Sequence, residues 1–312
     1  MPFAPAEPNP HQSDAAEAMW AWATAFGIFT TAVTSERMER TQPDLWASLV
    51  YTTASLEDLV LLCEWTCWGF AVDDEFDDDT LGHDADATRT SVTGLVAVLR
   101  GALPCTPMER ALADLLCRSC PGRSPGWVRQ LRDDLSAWLW TYVAQAVDRA
   151  AGRVPGVEEF AQARRDAIAM RVYIDLYEVP AGIDLPEPGR YFSTFTELRN
   201  ACVDYIALHN DMCSLKKEIA AGDLHNAVYI LHSRRGGTMQ EAMDAANDIL
   251  LRHLDRILQA EDELTGQVAA ADLDLPTRTA LKQCVADYRG LVRGDFDYHT
   301  LVRRYTVKDR LA

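Results

Sequence analysis

The sequence predicts an all-α fold, on three observations. Ala, Leu, Glu and Arg are frequent, and β-rich runs bounded by tight turns are rare. Apolar residues recur at helical spacing through most of the 312 residues. Pro and Gly gather between those segments, in "LPCTP", "CPGRSPG", "GRVPG", "VPAGIDLPEPG" and "RRGG". With 48% hydrophobic and 25% charged residues, the chain can bury a sizeable core. Connections are short, and no long linker, repeat or low-complexity block interrupts them. One helical domain of roughly ten or more helices follows.

Residues 1–13 are Pro-rich and read as an extended N-terminal segment, with the helical domain over 14–312. A first helix starts near Ser13 and Asp14, either of which could cap it, and runs past Phe26. The next covers 55–77, where "SLED" supplies an N-cap and first-turn acids. Residues 80–88 read as a loop. Further helices are expected over 88–101, 107–119, 125–151, 157–178, 190–221, 238–264 and 273–293.

Net charge is −17, which disfavours nucleic acid or an anionic membrane as partner, since both need a basic face. An anionic small molecule would need local cations. The N-terminus "MPFAPAEPNPHQSD" lacks the basic and apolar regions of a signal peptide, and no apolar run reaches membrane-spanning length. A cytoplasmic protein is expected. Eight cysteines, including the lone pair Cys117 and Cys120 in CxxC, read as reduced structural thiols.

The stretch "WGFAVDDEFDDD" sets six acids within residues 73–79, directly after an apolar run. Asp73 and Asp77 share a helix face, four residues apart. Acids at a helix C-terminus face the negative end of its dipole and repel each other. A divalent cation reverses the sign of both effects, and hard oxygen ligands suit Mg²⁺. A calcium loop fits neither frame: counted from Asp73 the sixth residue is Asp78, and counted from Asp77 the fifth is Leu81 and the twelfth Thr88. Further on, "HNDMCSLKKEIAAGDLHN" aligns Asn210, Ser214 and Glu218 at i, i+4 and i+8 along one helix face. Amide, hydroxyl and carboxylate oxygens together can chelate one Mg²⁺, and Lys217 could aim a cation at the same phosphates. Two such faces in one bundle suggest a metal cluster gripping a polyanion.

With both motifs present, the chain resembles a bacterial class I terpene synthase. The family's DDxxD motif appears as Asp73-Asp74-Glu75-Phe76-Asp77. Its NDxxSxxKE motif appears as Asn210-Asp211-Met212-Cys213-Ser214-Leu215-Lys216-Lys217-Glu218. Arg164, in "ARRDAIAMRVYIDLYE", matches the family's diphosphate-sensing arginine, 46 residues before Asn210 (210 − 164). Arg304 and Tyr305 match its C-terminal Arg-Tyr pair, and "NPH" at Asn9-Pro10-His11 also reads like family sequence. Ala169 stands where the family has Gly at a helix kink, and Tyr298 where it often has Trp. No DxDD motif of protonation-initiated cyclases occurs.

The resemblance implies a single helical bundle around a deep apolar pocket, and a linear isoprenyl diphosphate as substrate. It implies three Mg²⁺ ions, with Mn²⁺ able to substitute, and a homodimer would fit the family. Asp73 would ligate two ions with support from Asp77, and Asn210, Ser214 and Glu218 the third. Arg164, Lys217, Arg304 and Tyr305 would bind diphosphate. Asp74 belongs to the same mouth, and Ile168 would direct a carbonyl at the leaving group beside Ala169. Phe70, Trp65 and Tyr298 are expected to wall the pocket. Gly69, one turn before Asp73, would free space and favour a C20 geranylgeranyl chain. Family prevalence favours C15 farnesyl diphosphate, slightly ahead. A chain-elongating prenyl diphosphate synthase would carry a second DDxxD in place of Asn210–Ser214. A non-catalytic acidic helical binding protein would show no gathering of Arg164, Asp73 and Asn210 in one cleft.

Overall fold

The computed structural model describes residues 1–5, 7–77, 80–185, 192–302 and 304, except for the side chains of Asp77, Thr80 and Ala221. These residues form α-helices and one short 3₁₀ turn, with no strand among them. The helices are α1 (Gln12–Phe26), α2 (Ala32–Thr41), α3 (Pro43–Val50), α4 (Leu56–Asp77), α5 (Ala85–Leu99), α6 (Pro107–Ser119) and α7 (Pro125–Ala151). They continue as α8 (Val157–Ala167), α9 (Met170–Tyr177), α10 (Ser193–Ala221), α11 (Ala227–Arg235), α12 (Met239–Ala270) and α13 (Leu275–Leu301). None of the described helices is long and apolar enough to cross a membrane.

Where the sequence carries strong punctuation, the helices begin and end as expected. α6 and α7 match 107–119 and 125–151 to the residue, because Thr106 and Ser124 cap them and Pro occupies their first helical position. The region 80–88 is more ordered than a loop. Residues Thr80–His83 form the 3₁₀ turn, and Asp84 Oδ1 caps α5 by accepting from the Asp86 and Ala87 amides, each at 3.0 Å. The helix expected over 190–221 runs Ser193–Ala221, and 190 and 191 lie outside the described residues. α12 and α13 extend beyond the expected 264 and 293.

Three departures matter for the cavity. The stretch 32–50 forms two helices that the sequence reading did not assign, joined at Gln42, whose φ of 51° is left-handed. The helix expected over 157–178 is broken at Ala169, which adopts φ 60° and ψ −1°. The kink thus forms around alanine as it would around glycine, at a cost of roughly 1 kcal/mol in left-handed strain. Last, α11 follows Asn226, whose Oδ1 accepts from the Val228 and Tyr229 amides.

The N-terminal segment is pinned by Asn9. Its Nδ2 donates to the carbonyls of Tyr51 and Ala54, both at 2.9 Å, and its Oδ1 accepts from the His11 amide. Close packing also sets α13 against α3: a Cβ on Gly294 would lie 2.4 Å from the Leu49 carbonyl oxygen. Cys63, Cys67, Cys202 and Cys284 are buried, whereas Cys105 and Cys117 are exposed.

Candidate active site

The interior cavity is walled by α3, α4, α7, α10 and α13 and by the α8–α9 break. α4 contributes Gly69, Phe70 and Asp73 to it, and α10 contributes Asn210, Ser214, Lys217 and Glu218. Arg164, Ile168, Ala169, Tyr298 and Arg304 complete the gathering. The side chain of Asp77, and Tyr305, lie outside the described residues.

Asp73 sits at the cavity edge. Its Oδ1 accepts from the Tyr142 hydroxyl at 3.2 Å and its Oδ2 from Arg304 Nη2 at 2.8 Å. The same Arg304 nitrogen donates to Asp74 Oδ1 at 2.9 Å, and Nη1 donates to Thr41 Oγ1 at 2.7 Å. Asp74 is buried and faces this arginine; it does not line the cavity. The Arg304 guanidinium lies 4.9 Å from the Phe70 ring centroid, and Phe70 stacks on Tyr298.

On α10, Asn210 Oδ1 accepts from Arg164 Nη2 at 2.9 Å, and Asp211 Oδ1 accepts from the Arg164 Nε at 3.0 Å. The Ser214 hydroxyl donates to the Asn210 carbonyl at 2.8 Å, which leaves its lone pairs for an acceptor role. Glu218 Oε2 accepts from Asn226 Nδ2 at 2.8 Å. Burial, reinforced by the Asp211 and Asp223 carboxylates, pushes Glu218 up to about 7. Burial also works against charge on Asp223, but hydrogen bonds from His225 and the nearby Arg149 hold that group down to about 2. Two buried acids of one cavity are thus driven apart by their neighbours.

These residues fit a divalent cation. Asp73, Asn210, Ser214 and Glu218 are hard oxygen donors from two helices converging on one space, and Glu218 needs a positive neighbour to ionise fully there.

Two expectations are corrected. Trp65 does not wall the cavity; it is buried in the core, where its Nε1 donates to Ser119 Oγ at 2.9 Å. Nor does Gly69 open space for a longer chain. A Cβ there would lie 2.2 Å from the Tyr173 hydroxyl, which already fills the gap. Tyr173 reaches across from α9 and donates to the Trp65 carbonyl at 3.4 Å.

Several residues of the site carried no assigned role in the sequence. Asp211 is fully buried between Arg164 and the Ala227 amide. Asn226 joins the two ends of the second motif, donating to the Asp211 carbonyl as well as to Glu218. Its one local signal is a cap-forming Asn ahead of the apolar run "AVYIL". Arg149 links the two motifs: it donates to the Phe76 and Gly82 carbonyls, each at 3.1 Å, and lies 3.7 Å from Asp223.

A helical bundle whose cavity is lined by Asp73 of a DDxxD stretch and by an Asn/Ser/Glu row has the architecture of a class I terpene synthase. The family model described as terpene synthase family 2, C-terminal metal binding, matches residues 64–256, and the chain belongs to that family. It is therefore a lyase of the terpene synthase class, with a region implying use of a divalent metal. The (2Z,6E)-hedycaryol synthase of Kitasatospora setae is 32% identical over 312 residues, covering 99% of this chain and 92% of that protein. A (+)-T-muurolol synthase of Roseiflexus castenholzii, named as cyclising (2E,6E)-farnesyl diphosphate, is 28% identical over 301 residues, covering 95% and 90%. A solved structure of hedycaryol synthase in complex with nerolidol superposes with a TM-score of 0.84 at 30% identity, covering 96% of this chain and 97% of that one.

Proposed function

We propose that the protein cyclises farnesyl diphosphate to a C15 terpene hydrocarbon or alcohol, with release of diphosphate. The supporting observation is that Asp73 of α4 and the Asn210, Ser214 and Glu218 row of α10 line one cavity, flanked by Arg164 and Arg304. Asp73 and Asp77 would hold Mg²⁺ on one side, and Asn210, Ser214 and Glu218 on the other, with three ions in all and Mn²⁺ able to replace them. When bound, the metal neutralises the diphosphate and stabilises the charge that develops on it. Arg164, Lys217, Arg304 and Tyr305 donate hydrogen bonds to the same group, arginine being permanently charged and fork-shaped.

The allylic carbon–oxygen bond breaks heterolytically, and its electron pair leaves with the diphosphate. The Ile168 carbonyl, at the break before Ala169, would lie beside that event. Distal double bonds then attack the cation, and loss of a proton or capture of water ends the sequence. Phe70 and Tyr298 exclude water and stabilise positive charge, each ring contributing about 0.5–2 kcal/mol. A C15 chain is preferred over C20 because Tyr173 occupies the space above Gly69 and because a relative is named for farnesyl diphosphate. The catalytic unit spans 14–312 and acts in the cytoplasm.

Purified protein with Mg²⁺ and the C10, C15 and C20 diphosphates in turn tests this, with volatile products identified by mass spectrometry. A cyclic C15 product is expected, lost in Asp73→Asn and Asn210→Ala with helicity intact. Full activity in both variants would overturn the metal assignment. Turnover of only the C20 substrate would overturn the chain length.

A further inference from the structure

We propose that His299 is a positioning residue that fixes the amide of Asn210, so that the Asn210 oxygen faces the metal and diphosphate side of the cavity. The inference rests on the metal reading above. It comes from counting donors. Arginine has no acceptor, so the Asn210 oxygen must be the atom that faces Arg164 Nη2, at 2.9 Å. The amide nitrogen then faces His299 Nε2 at 3.2 Å, and Nε2 must accept. The ring proton therefore sits on Nδ1, which lies 2.8 Å from the Asp295 carbonyl oxygen and 3.4 Å from its Oδ2. Asp295 is held in turn by Trp46 Nε1, which donates to its Oδ1 at 3.1 Å. A chain of contacts thus runs from α3 through α13 to α10, and every donor meets an acceptor.

The same residues admit a rival, a separate metal site. Ligand atoms of His209, Asp295 and His299 all lie within 4.8 Å of one another, and His209 Nδ1 and Asp295 Oδ2 are buried without a hydrogen-bond partner among the described residues. A cation on His299 Nδ1 would push the proton to Nε2, setting an N–H against the amide NH₂ of Asn210. The positioning role leaves no such clash. Second-sphere contacts of this kind typically change metal affinity about 10–100-fold.

The test uses the full chain and a readout other than turnover: Mg²⁺-dependent thermal protection by inorganic pyrophosphate. His299→Phe and His299→Leu both lack an acceptor, so one variant that folds suffices. Each should need about 10–100-fold more Mg²⁺ for half-maximal protection. His299→Gln keeps an acceptor within reach of Asn210 and should stay within about threefold of wild type. Each variant is compared with its own melting temperature without Mg²⁺, because losing the His299 contact to the buried Asp295 lowers that baseline by itself. Wild-type Mg²⁺ dependence in the acceptor-free variants, or a Gln variant as impaired as they are, overturns the role of His299. Absence of protection in the wild-type protein instead overturns the metal reading, and this proposal with it.

Discussion

Arg304 donates to Asp73 at 2.8 Å while its other terminal nitrogen donates to Thr41, so the chain just past α13 and the α2 terminus meet on the aspartate-rich motif. Arg164 does the same for the second motif, holding Asn210 and Asp211. Each arginine assigned to diphosphate is thus already bound to a motif assigned to metal. This pairing resolves a problem of sign. A chain of net charge −17 can set Asp73 and Glu218 on one cavity, with Asp74 and Asp211 behind its wall, because two half-buried guanidinium groups offset them.

Arg304→Lys should therefore be costly despite keeping the charge. An ammonium group cannot span Asp73, Asp74 and Thr41 in one plane, nor offer a fork to diphosphate. Turnover should fall about 10²–10³-fold, the usual loss when one preorganised donor to a developing anion is removed. Steady-state kinetics with farnesyl diphosphate and Mg²⁺ would check this, and a loss under about threefold would refute it.

Gly69 offers a test by rescue. Gly69→Ala places a methyl 2.2 Å from the Tyr173 hydroxyl, so Tyr173 must move. Overpacking of this kind costs about 1–3 kcal/mol. Removing the hydroxyl in the Gly69→Ala/Tyr173→Phe double variant should recover most of that loss, since the nearest remaining atoms would be 3.5 Å away or more. Chemical denaturation of both variants and of Tyr173→Phe alone would measure the coupling. Additive losses would mean that the two residues do not touch.

The contrast between these residues shows how far the sequence reaches. Helices opened by Thr106-Pro107 and Ser124-Pro125 were legible because their caps are local chemistry. The shared lining by Asn210, Ser214 and Glu218 was legible because helical spacing alone puts those three side chains on one face. The hinge at Gln42 was not, because a left-handed glutamine carries no local signal. Trp65 and Phe70 are both aromatic residues of α4, and only its packing against α6 and α13 decides which one meets the cavity. The contacts of His299 to Asn210 and of Trp46 to Asp295 span 89 and 249 residues, and nothing in their spacing announces them.

Ala169 turns that limit into a measurement. In a continuous helix, Ala→Gly costs about 1 kcal/mol. At φ 60° the sign changes, because glycine relieves left-handed strain of roughly 1 kcal/mol while giving back about 0.4–1 kcal/mol in unfolded-state entropy. Ala169→Gly should be neutral or stabilising by up to about 1 kcal/mol, with turnover retained. Destabilisation by a full 1 kcal/mol in urea would show that the segment is straight.

Asp287 predicts a dependence of stability on pH at a distance from the chemistry. It is buried on α13, and burial pushes its carboxyl up to about 6 against the opposing hydrogen bond from Gln283 Nε2 at 2.7 Å. A pKa raised on folding means that the folded state binds this proton more tightly than the unfolded chain. Its favourable contribution is complete below about 4 and disappears as pH rises through about 6. Asp287→Asn never ionises, so its advantage over wild type should grow between pH 4 and 7 and stay flat above. The gain should approach 1–3 kcal/mol, about 1.4 kcal/mol for each unit of pKa difference. Paired urea unfolding curves at pH 5, 6, 7 and 8 would follow it. An advantage independent of pH, or one that shrinks as pH rises, would mean that the Asp287 carboxyl is not held in the environment described.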